Sequence, residues 1–345
     1  MKEIDLKGCK VFFGDYSFLL ENLLCGKKTV YLFDERVWEI YGKSIDPRIV
    51  IRIEAKERNK NLKTVQNIYK KLLELEADRY TYLVGVGGGV TLDITGFVGS
   101  TFMRGMPFGF LPTSLLAQVD AAFGGKNGVN FCGIKNLVGT ITQPSFVIID
   151  PGFLKTLPSC EWENGFAEVI KYGIIASKDL FETLESLPVS RLKDSDLITK
   201  IIYESLLIKA SIVAKDRTDF GERRKLNFGH TFGHAIEMAC QLSHGRAISV
   251  GMMAEIEFSR ELGLLSKSDI SRIENLLGKF GLPTDYEPFF SKALKKIKAD
   301  KKKEGDSISI VLIEGIGRSR IEKVKIEAIG EVINGLRKHW LCVRG

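Results

Sequence analysis

Over the first 150 residues, short runs of β-branched, aromatic and leucine residues alternate with stretches whose apolar positions recur at helical spacing. Val30–Phe33, Val50–Ile53, Tyr82–Val86, Phe108–Leu111 and Phe146–Ile149 read as buried strands. Between two of them, Leu62, Val65, Ile68, Leu72 and Leu75 fall three or four apart, the spacing that lines one face of a helix. Strands that alternate with helices predict a parallel sheet covered on both faces. After Pro151 the rhythm changes. From Glu161 to about Lys298 the apolar spacing is helical nearly throughout, with breaks predicted at Pro188, at Gly245 and at Gly281-Leu282-Pro283. Ser307–Leu312 and Arg320–Ile326 read as a hairpin turned at Gly315-Ile316-Gly317. A chain of 345 residues also exceeds the size at which one core usually keeps growing. The expected organisation is an α/β domain with a parallel, Rossmann-like sheet over residues 1–150. A mainly α-helical domain over residues 151–345 follows, with a small β-hairpin near 307–326.

Composition narrows the class. Hydrophobic residues at 44% and charged residues at 27% are ordinary for a soluble protein. No apolar run approaches the roughly 20 residues of a membrane span. The start, Met1-Lys2-Glu3-Ile4-Asp5, lacks the apolar core of a signal peptide. Cysteines 9, 25, 132, 160, 240 and 342 are scattered, with no C-x-x-C pair, as reduced thiols are. These features predict a cytoplasmic protein with no membrane partner. The net charge of +7 is modest, and the densest basic run spans Lys292, Lys295, Lys296, Lys298, Lys301, Lys302 and Lys303. No aromatic residue is interleaved there for base stacking, so the run reads as a solvated helix face and no nucleic-acid partner is expected.

Histidine is where chemistry first shows. Three of the four histidines, His230, His234 and His244, fall within fifteen residues. The surrounding stretch, Asn227 to Glu237, reads as helix, so His230 and His234 share a face, and neutral imidazole is a common ligand for zinc-like cations. Upstream, Asn164, Glu168 and Lys171 share a face of another apolar helix. A buried carboxylate needs a cation. For Glu168 that is either Lys171 or a metal shared with His230.

The glycine cluster Gly85-Val86-Gly87-Gly88-Gly89 follows a strand and runs into Val90-Thr91-Leu92-Asp93. Backbone N–H groups at such a turn approach a pyrophosphate, and the helix N-terminus favours its charge. It is not the dinucleotide fingerprint, since Val90 stands within it and no acid follows at the usual distance. Asp34 closes an earlier strand, where a carboxylate could hold a ribose hydroxyl, so the reading is nucleotide binding. Pro112-Thr113-Ser114, Asp120, Gly124-Gly125-Lys126 and Lys135-Asn136 form a second polar cluster, expected as an anion-cradling loop.

Gly87–Gly89 with Asp93, Arg104, the run Pro112–Asp120, Gly124-Gly125-Lys126, Lys135-Asn136, Glu168 with Lys171, and Leu226–Ala235 closely resemble the 3-dehydroquinate synthase family, one of the sugar-phosphate cyclases. The resemblance runs in one order from about Asp34 to Asp300-Lys301-Lys302. It implies a two-domain build shared with glycerol dehydrogenases, and a carbon–oxygen lyase that releases phosphate from 3-deoxy-D-arabino-heptulosonate 7-phosphate in the shikimate pathway. It implies NAD as catalytic cofactor, with contacts at Asp34, Glu57, Lys60, Gly88, Gly89, Asp93, Thr113, Ser114, Lys126, Lys135, Thr156 and Leu157. A divalent metal, zinc or cobalt, is implied at Glu168, His230 and His244, which makes His234 a neighbour of the substrate instead. Substrate and proton handling fall to Asp120, Lys126, Asn136, Lys171, Lys209, Arg223, Asn227, His234 and one of Lys301 or Lys302. Arg104 is implied to reach in from the second subunit of a homodimer.

The chain departs from the family pattern at several positions. Lys56 precedes Glu57 where glycine is usual, Ser114 and Asn127 replace threonines, and Arg246 replaces a glutamate beyond His244. Two other readings share this fold: a paralogous cyclase acting on a substrate without a carboxylate, and a metal-dependent polyol dehydrogenase. Lys209 and Arg223, which match the family's carboxylate-binding pair, argue against the former. A non-catalytic NAD-binding protein is disfavoured by the intact Glu168, Lys171 and three histidines.

Overall fold

A computed structural model of the chain describes residues 2–5, 8–45, 47–192, 194–216, 221–285 and 307–325. The apolar runs become strands because their side chains have somewhere to go on both faces: Val30, Leu32, Phe33, Leu83, Val84, Val86, Leu111, Val147, Ile148 and Ile149 are all fully buried. In chain order the elements are β1 (Lys2–Asp5), β2 (Lys10–Phe13), α1 (Tyr16–Leu24), β3 (Thr29–Asp34), α2 (Glu35–Ile45), β4 (Val50–Ile53), α3 (Leu62–Glu74), β5 (Tyr82–Gly87), α4 (Gly89–Thr101) and β6 (Phe108–Pro112). There follow β7 (Lys126–Phe131), β8 (Ile134–Ile141) and β9 (Phe146–Ile149). Seven strands form one sheet in the order β1-β2-β9-β6-β5-β3-β4. Its ladders are parallel except for β1 against β2. The parallel α/β architecture expected from the alternation is therefore present.

This topology fixes where a ligand can sit. From β3 the chain proceeds to one side of the sheet, and from β5 to the other, so the strand order reverses between β3 and β5. Ligands of open α/β sheets bind at the carboxyl ends of strands beside such a reversal. Those ends here are Asp34 and Gly87.

The second antiparallel pair, β7 with β8, corrects the sequence reading. Gly124-Gly125-Lys126 and Lys135-Asn136 were expected in an anion-cradling loop, but Lys126 opens β7 and Lys135-Asn136 lie in β8. Much of β8 is exposed, so it lacks the continuous apolar run of the sheet strands.

The next elements are α5 (Ser159–Ala176), α6 (Lys178–Ser186), α7 (Ser195–Lys215), α8 (His230–Cys240), α9 (His244–Glu261), α10 (Lys267–Lys279), β10 (Ser307–Ile313) and β11 (Ser319–Lys325). Contacts group the described residues up to Glu161, with Ile198–Ile202, into one unit, and Trp162–Leu197 with the described residues from Tyr203 onward into another. The helix expected over 227–237 starts only at His230, because Glu222–Asn227 form a 3-10 turn. Gly245 does not break the helical run, since it is the second residue of α9. The break falls at Gln241–Ser243, where Gln241 takes a left-handed φ of 54°. A Cβ at Gly245 would lie 2.6 Å from Asn164 Cα, so this glycine serves close packing of α9 on α5. The hairpin β10–β11 forms with the turn at Gly315–Gly317, as the sequence predicts.

Candidate functional site

The first cluster lies at the carboxyl ends of β3, β5 and β6. β5 ends at Gly87, Gly88 caps α4, and the Thr113 N–H donates to the Gly87 carbonyl at 3.0 Å, which sets Thr113 and Ser114 beside the glycine turn. A Cβ at Gly87 would lie 3.2 Å from Asp34 Cβ, so the carboxylate that closes β3 borders the same turn. Burial pushes the Asp34 carboxyl above its ordinary value, against the Arg36 N–H and the Arg36 charge.

Lys60, 5% exposed, is the hub of the neighbouring polar group. Its ammonium pairs with Asp93 on α4 and donates to Asn136 Oδ1 at 2.5 Å. Asn130 braces the assembly: its amide donates to Glu57 Oε1 at 2.8 Å and its Oδ1 accepts from the Asn136 N–H at 2.9 Å. Lys135 Nζ lies 4.0 Å from Glu57 Oε1. Glu57, Lys60, Asp93, Lys135 and Asn136 are thus brought together from three segments, the turn at 57–60, α4 and β8, although Lys56 stands before Glu57. Lys56 pairs outward with Glu54 instead. Thr156 Oγ1 shares a 2.8 Å hydrogen bond with the Tyr41 hydroxyl, and Leu157 follows at the end of the 3-10 turn Pro151–Thr156. Asp120 sits on a π-helical turn, Ala117–Ala121, an irregularity frequent at functional sites. Arg104 is exposed, and with Met103 it takes positive φ values of 64° and 50°. Two consecutive non-glycine residues in that region cost of order 1–3 kcal/mol each.

The second cluster is built from three helices. Glu168 and Lys171 lie on α5, buried at 0% and 1% exposure. His230 and His244 are the first residues of α8 and α9. Both histidine Nε2 atoms lie 3.4 Å from the same oxygen, Glu168 Oε1. Ligand atoms of these three residues all fall within 4.8 Å of one another. The ring centroid of His234 lies 5.2 Å from that of His230, and His234 is exposed at the edge of this group. The pairing of His230 with His234 expected from spacing alone is therefore replaced by Glu168, His230 and His244.

The remaining atoms are oriented by neighbours. His230 Nδ1 lies 3.1 Å from the Phe228 carbonyl, and His244 Nδ1 lies 3.9 Å from Glu237 Oε2. Asn164 Oδ1 accepts from the Gly245 N–H at 2.8 Å, tying α5 to the start of α9. Lys171 pairs with Glu168 and donates to the Leu226 carbonyl at 2.8 Å. Burial opposes charge on Glu168, but Lys171, then His230 and His244, outweigh it and hold the carboxyl well below its usual range. Burial, then the Lys171 charge, lowers His230 to about 3. Burial also works against a charge on His244, but Glu168 and Glu237 overcome it and raise His244 to about 9.

A buried carboxylate facing two imidazole nitrogens is the donor set of a zinc-like ion with an open coordination position, so the residues present fit a divalent metal. Glu237 was missed as a candidate in the sequence; it lies seven residues after His230 on one helix face, which was the available signal. Arg246 turns away, with Nε 3.5 Å from Glu163.

Lys209 on α7 and Arg223 in the turn Glu222–Asn227 are 6% and 4% exposed, while Asn227 is exposed. Among the described residues the buried cationic side chains are Lys60, Lys171, Lys209 and Arg223. Every one belongs to the candidate set. Lys301 and Lys302 lie outside the described residues.

Residues 50–164 match the family described as 3-dehydroquinate synthase N-terminal, and residues 165–303 match 3-dehydroquinate synthase C-terminal. The chain is 41% identical over 339 residues to the 3-dehydroquinate synthase of Thermodesulfovibrio yellowstonii, covering 93% of this chain and 94% of that protein. Among solved structures, a 2-epi-5-epi-valiolone synthase from Streptomyces hygroscopicus with NAD+ and Zn2+ bound superposes with a TM-score of 0.86 at 25% identity, over 98% of each chain. A 2-deoxy-scyllo-inosose synthase complexed with carbaglucose-6-phosphate, NAD+ and Co2+ superposes at 0.84 with 26% identity, over 96% of this chain and 98% of that one.

Proposed function

The chain belongs to the 3-dehydroquinate synthase family, and we propose that its two clusters carry out the reaction of that family. It is a lyase that converts 3-deoxy-D-arabino-heptulosonate 7-phosphate to 3-dehydroquinate and phosphate, with NAD and a divalent metal as cofactors. The observation that carries the assignment of roles is the burial of Lys60, Lys171, Lys209 and Arg223. Lys60 and Lys171 are balanced by Asp93 and Glu168, and four buried cationic groups set among the candidate residues suit anionic ligands, a dinucleotide and a dianionic sugar acid.

When bound, NAD supplies a reversible oxidation of a ring carbinol, and the metal, zinc or cobalt, polarises that hydroxyl. Glu168, His230 and His244 would hold the metal. Asp34 accepts from ribose hydroxyls, Gly88 and Gly89 offer N–H groups to the pyrophosphate, and Thr113, Ser114, Thr156 and Leu157 line the same ends of the strands. Glu57, Lys60, Asp93 and Lys135 complete the cofactor contacts. Lys209 and Arg223 fix the substrate carboxylate, Arg223 through a planar fork that lysine cannot reproduce. Asp120, Lys126, Asn136, Lys171 and Asn227 orient the hydroxyls and the phosphate, with one of Lys301 or Lys302. His234, exposed beside His230, holds or moves a proton at the substrate rather than serving as a ligand. Arg104 acts in the site of a second copy in a homodimer, which accounts for strained backbone on an exposed segment. The five described cysteines are free thiols, and no described helix is long and apolar enough to cross a membrane, in keeping with a cytoplasmic enzyme.

A second reading, a cyclase for carboxylate-free sugar phosphates, is favoured by the structural likeness to the inosose and valiolone synthases. The two are separated by substrate. The wild type should turn over the heptulosonate phosphate and ignore glucose 6-phosphate. Arg223→Ala should lower kcat/KM for the former roughly 30- to 1000-fold while metal content and NAD+ binding stay close to normal. Efficient cyclisation of glucose 6-phosphate, indifferent to Arg223→Ala, would transfer the assignment to the second reading.

A further inference from the structure

α8 and α9 meet at a point with no room for side chains. Gly229 takes a φ of +76°, and a Cβ there would lie 2.5 Å from Met252 Cγ. A Cβ at Gly251 would lie 2.0 Å from the Gly229 carbonyl oxygen. The peptide entering α8 is therefore wedged against α9, one residue before His230. Glu255, one turn beyond Gly251 and 0% exposed, closes the contact. Its Oε1 accepts from the Gly229 N–H at 3.2 Å, and its Oε2 accepts from the Val311 N–H on β10 at 3.0 Å. One further turn along, Ser259 donates to the Glu255 carbonyl at 3.0 Å and accepts from the Ile313 N–H at 2.9 Å.

We infer that Glu255 is a positioning residue for the metal centre, holding the Gly229 peptide, and through it the His230 imidazole, in the pose that ligation requires. A helix of this length leaves its first N–H groups without intrahelical partners, and a carboxylate from a neighbouring helix satisfies that of the cap residue Gly229, adjacent to His230. The His230 ring is held at its two nitrogens as well: Nδ1 faces the Phe228 carbonyl, itself in the same short connection, and Nε2 faces Glu168. Ser259 anchors the same hairpin without touching this connection, so the two residues separate support of β10 from support of His230.

This inference rests on Glu168, His230 and His244 being the metal ligands, and the experiment is built to tell the two failures apart. Co2+ affinity is measured by calorimetry, and the visible absorption of the bound ion is recorded, for wild type, Glu255→Met, Ser259→Ala and His230→Ala. Methionine preserves bulk but offers no acceptor to either N–H. Glu255→Met should weaken Co2+ binding about 10-fold or more and alter the visible spectrum, as loss of an outer-shell partner does. Ser259→Ala should leave both unchanged. Wild-type affinity and spectrum in folded Glu255→Met, or equal losses in Ser259→Ala, would overturn the inference. Should Glu255→Met not fold, Glu255→Gln, with one acceptor oxygen for two donors, is judged by the same criterion. If His230→Ala retains wild-type Co2+ affinity, the ligand assignment itself has failed, whatever Glu255 does.

Discussion

Replacing Lys171 with methionine removes the cation from a buried ion pair and leaves Glu168, with no exposed surface, facing two histidines. Breaking such a pair from one side typically costs about 3–5 kcal/mol. The neighbourhood moves the expectation to the lower end. A protonated His244 sits 3.4 Å from Glu168 Oε1, and at an effective dielectric of about 20 that attraction is worth up to roughly 5 kcal/mol before desolvation. The Leu226 carbonyl also loses its donor, so the loss does not vanish. We expect the metal-free variant to be destabilised by about 3 kcal/mol. A divalent cation reverses the balance, because Lys171 repels it as well as competing for the carboxylate. The variant should therefore bind metal more tightly, and by linkage the stability gap at saturating metal narrows by RT ln of the ratio of the two Kd values, about 1.4 kcal/mol for each tenfold. The assay is urea unfolding followed by circular dichroism near neutral pH, with chelator and then with excess Zn2+ or Co2+. A gap below about 1 kcal/mol in chelator, or one that metal leaves unchanged or widens, would refute the reasoning.

Two shorter predictions concern the other cluster and the core. Asp34→Asn should weaken NADH binding about 10-fold, read by fluorescence titration. Because burial raises the Asp34 carboxyl, wild-type affinity should begin to fall on acidification at a higher pH than an exposed aspartate would dictate, while Asp34→Asn shows no such fall; parallel curves would remove Asp34 from the ribose contact. Cys9 is buried, and burial, then the Asp5 charge, pushes its thiol to about 12. Exposed Cys25, Cys132 and Cys160 should alkylate quickly, and Cys9 only on unfolding, even in mildly alkaline buffer; rapid labelling of Cys9 in the native protein, mapped by mass spectrometry, would contradict its place in the core.

What could be read from the chain depended on whether the signal was local. β3, β5, β6 and β9 were legible because strands buried on both faces are largely apolar runs, and the edge strand β4 because Arg52 alone interrupts its apolar run. β8 was not, because its exposed positions and glycine mimic a loop. The Asn164–Glu168–Lys171 face was legible as a helical period, and its three side chains do act together, on Gly245, on the histidines and on Leu226. His230 and His244 belong to different helices and meet at Glu168 only through packing of α8 and α9 on α5, which no sequence period reports. Their grouping came instead from family resemblance, where spacing favoured His234. Gly245 was misjudged because glycine both breaks helices and lets them touch, and only Asn164 against its Cα tells which applies. Lys60, Asp93 and Asn136 converge in the same non-local way, and Glu255 gave no signal beyond being one acid among many on a helix.

Elimination of phosphate followed by ring closure is redox-neutral, so phosphate and NADH measured in one reaction distinguish it from net oxidation. Inorganic phosphate and NADH are followed together while the metal-loaded enzyme acts on excess 3-deoxy-D-arabino-heptulosonate 7-phosphate with substoichiometric NAD+. Many phosphates should be released per NAD+, with no steady growth of NADH absorbance. NADH accumulating in step with product, or phosphate release that stops at one per NAD+, would contradict redox-neutral turnover.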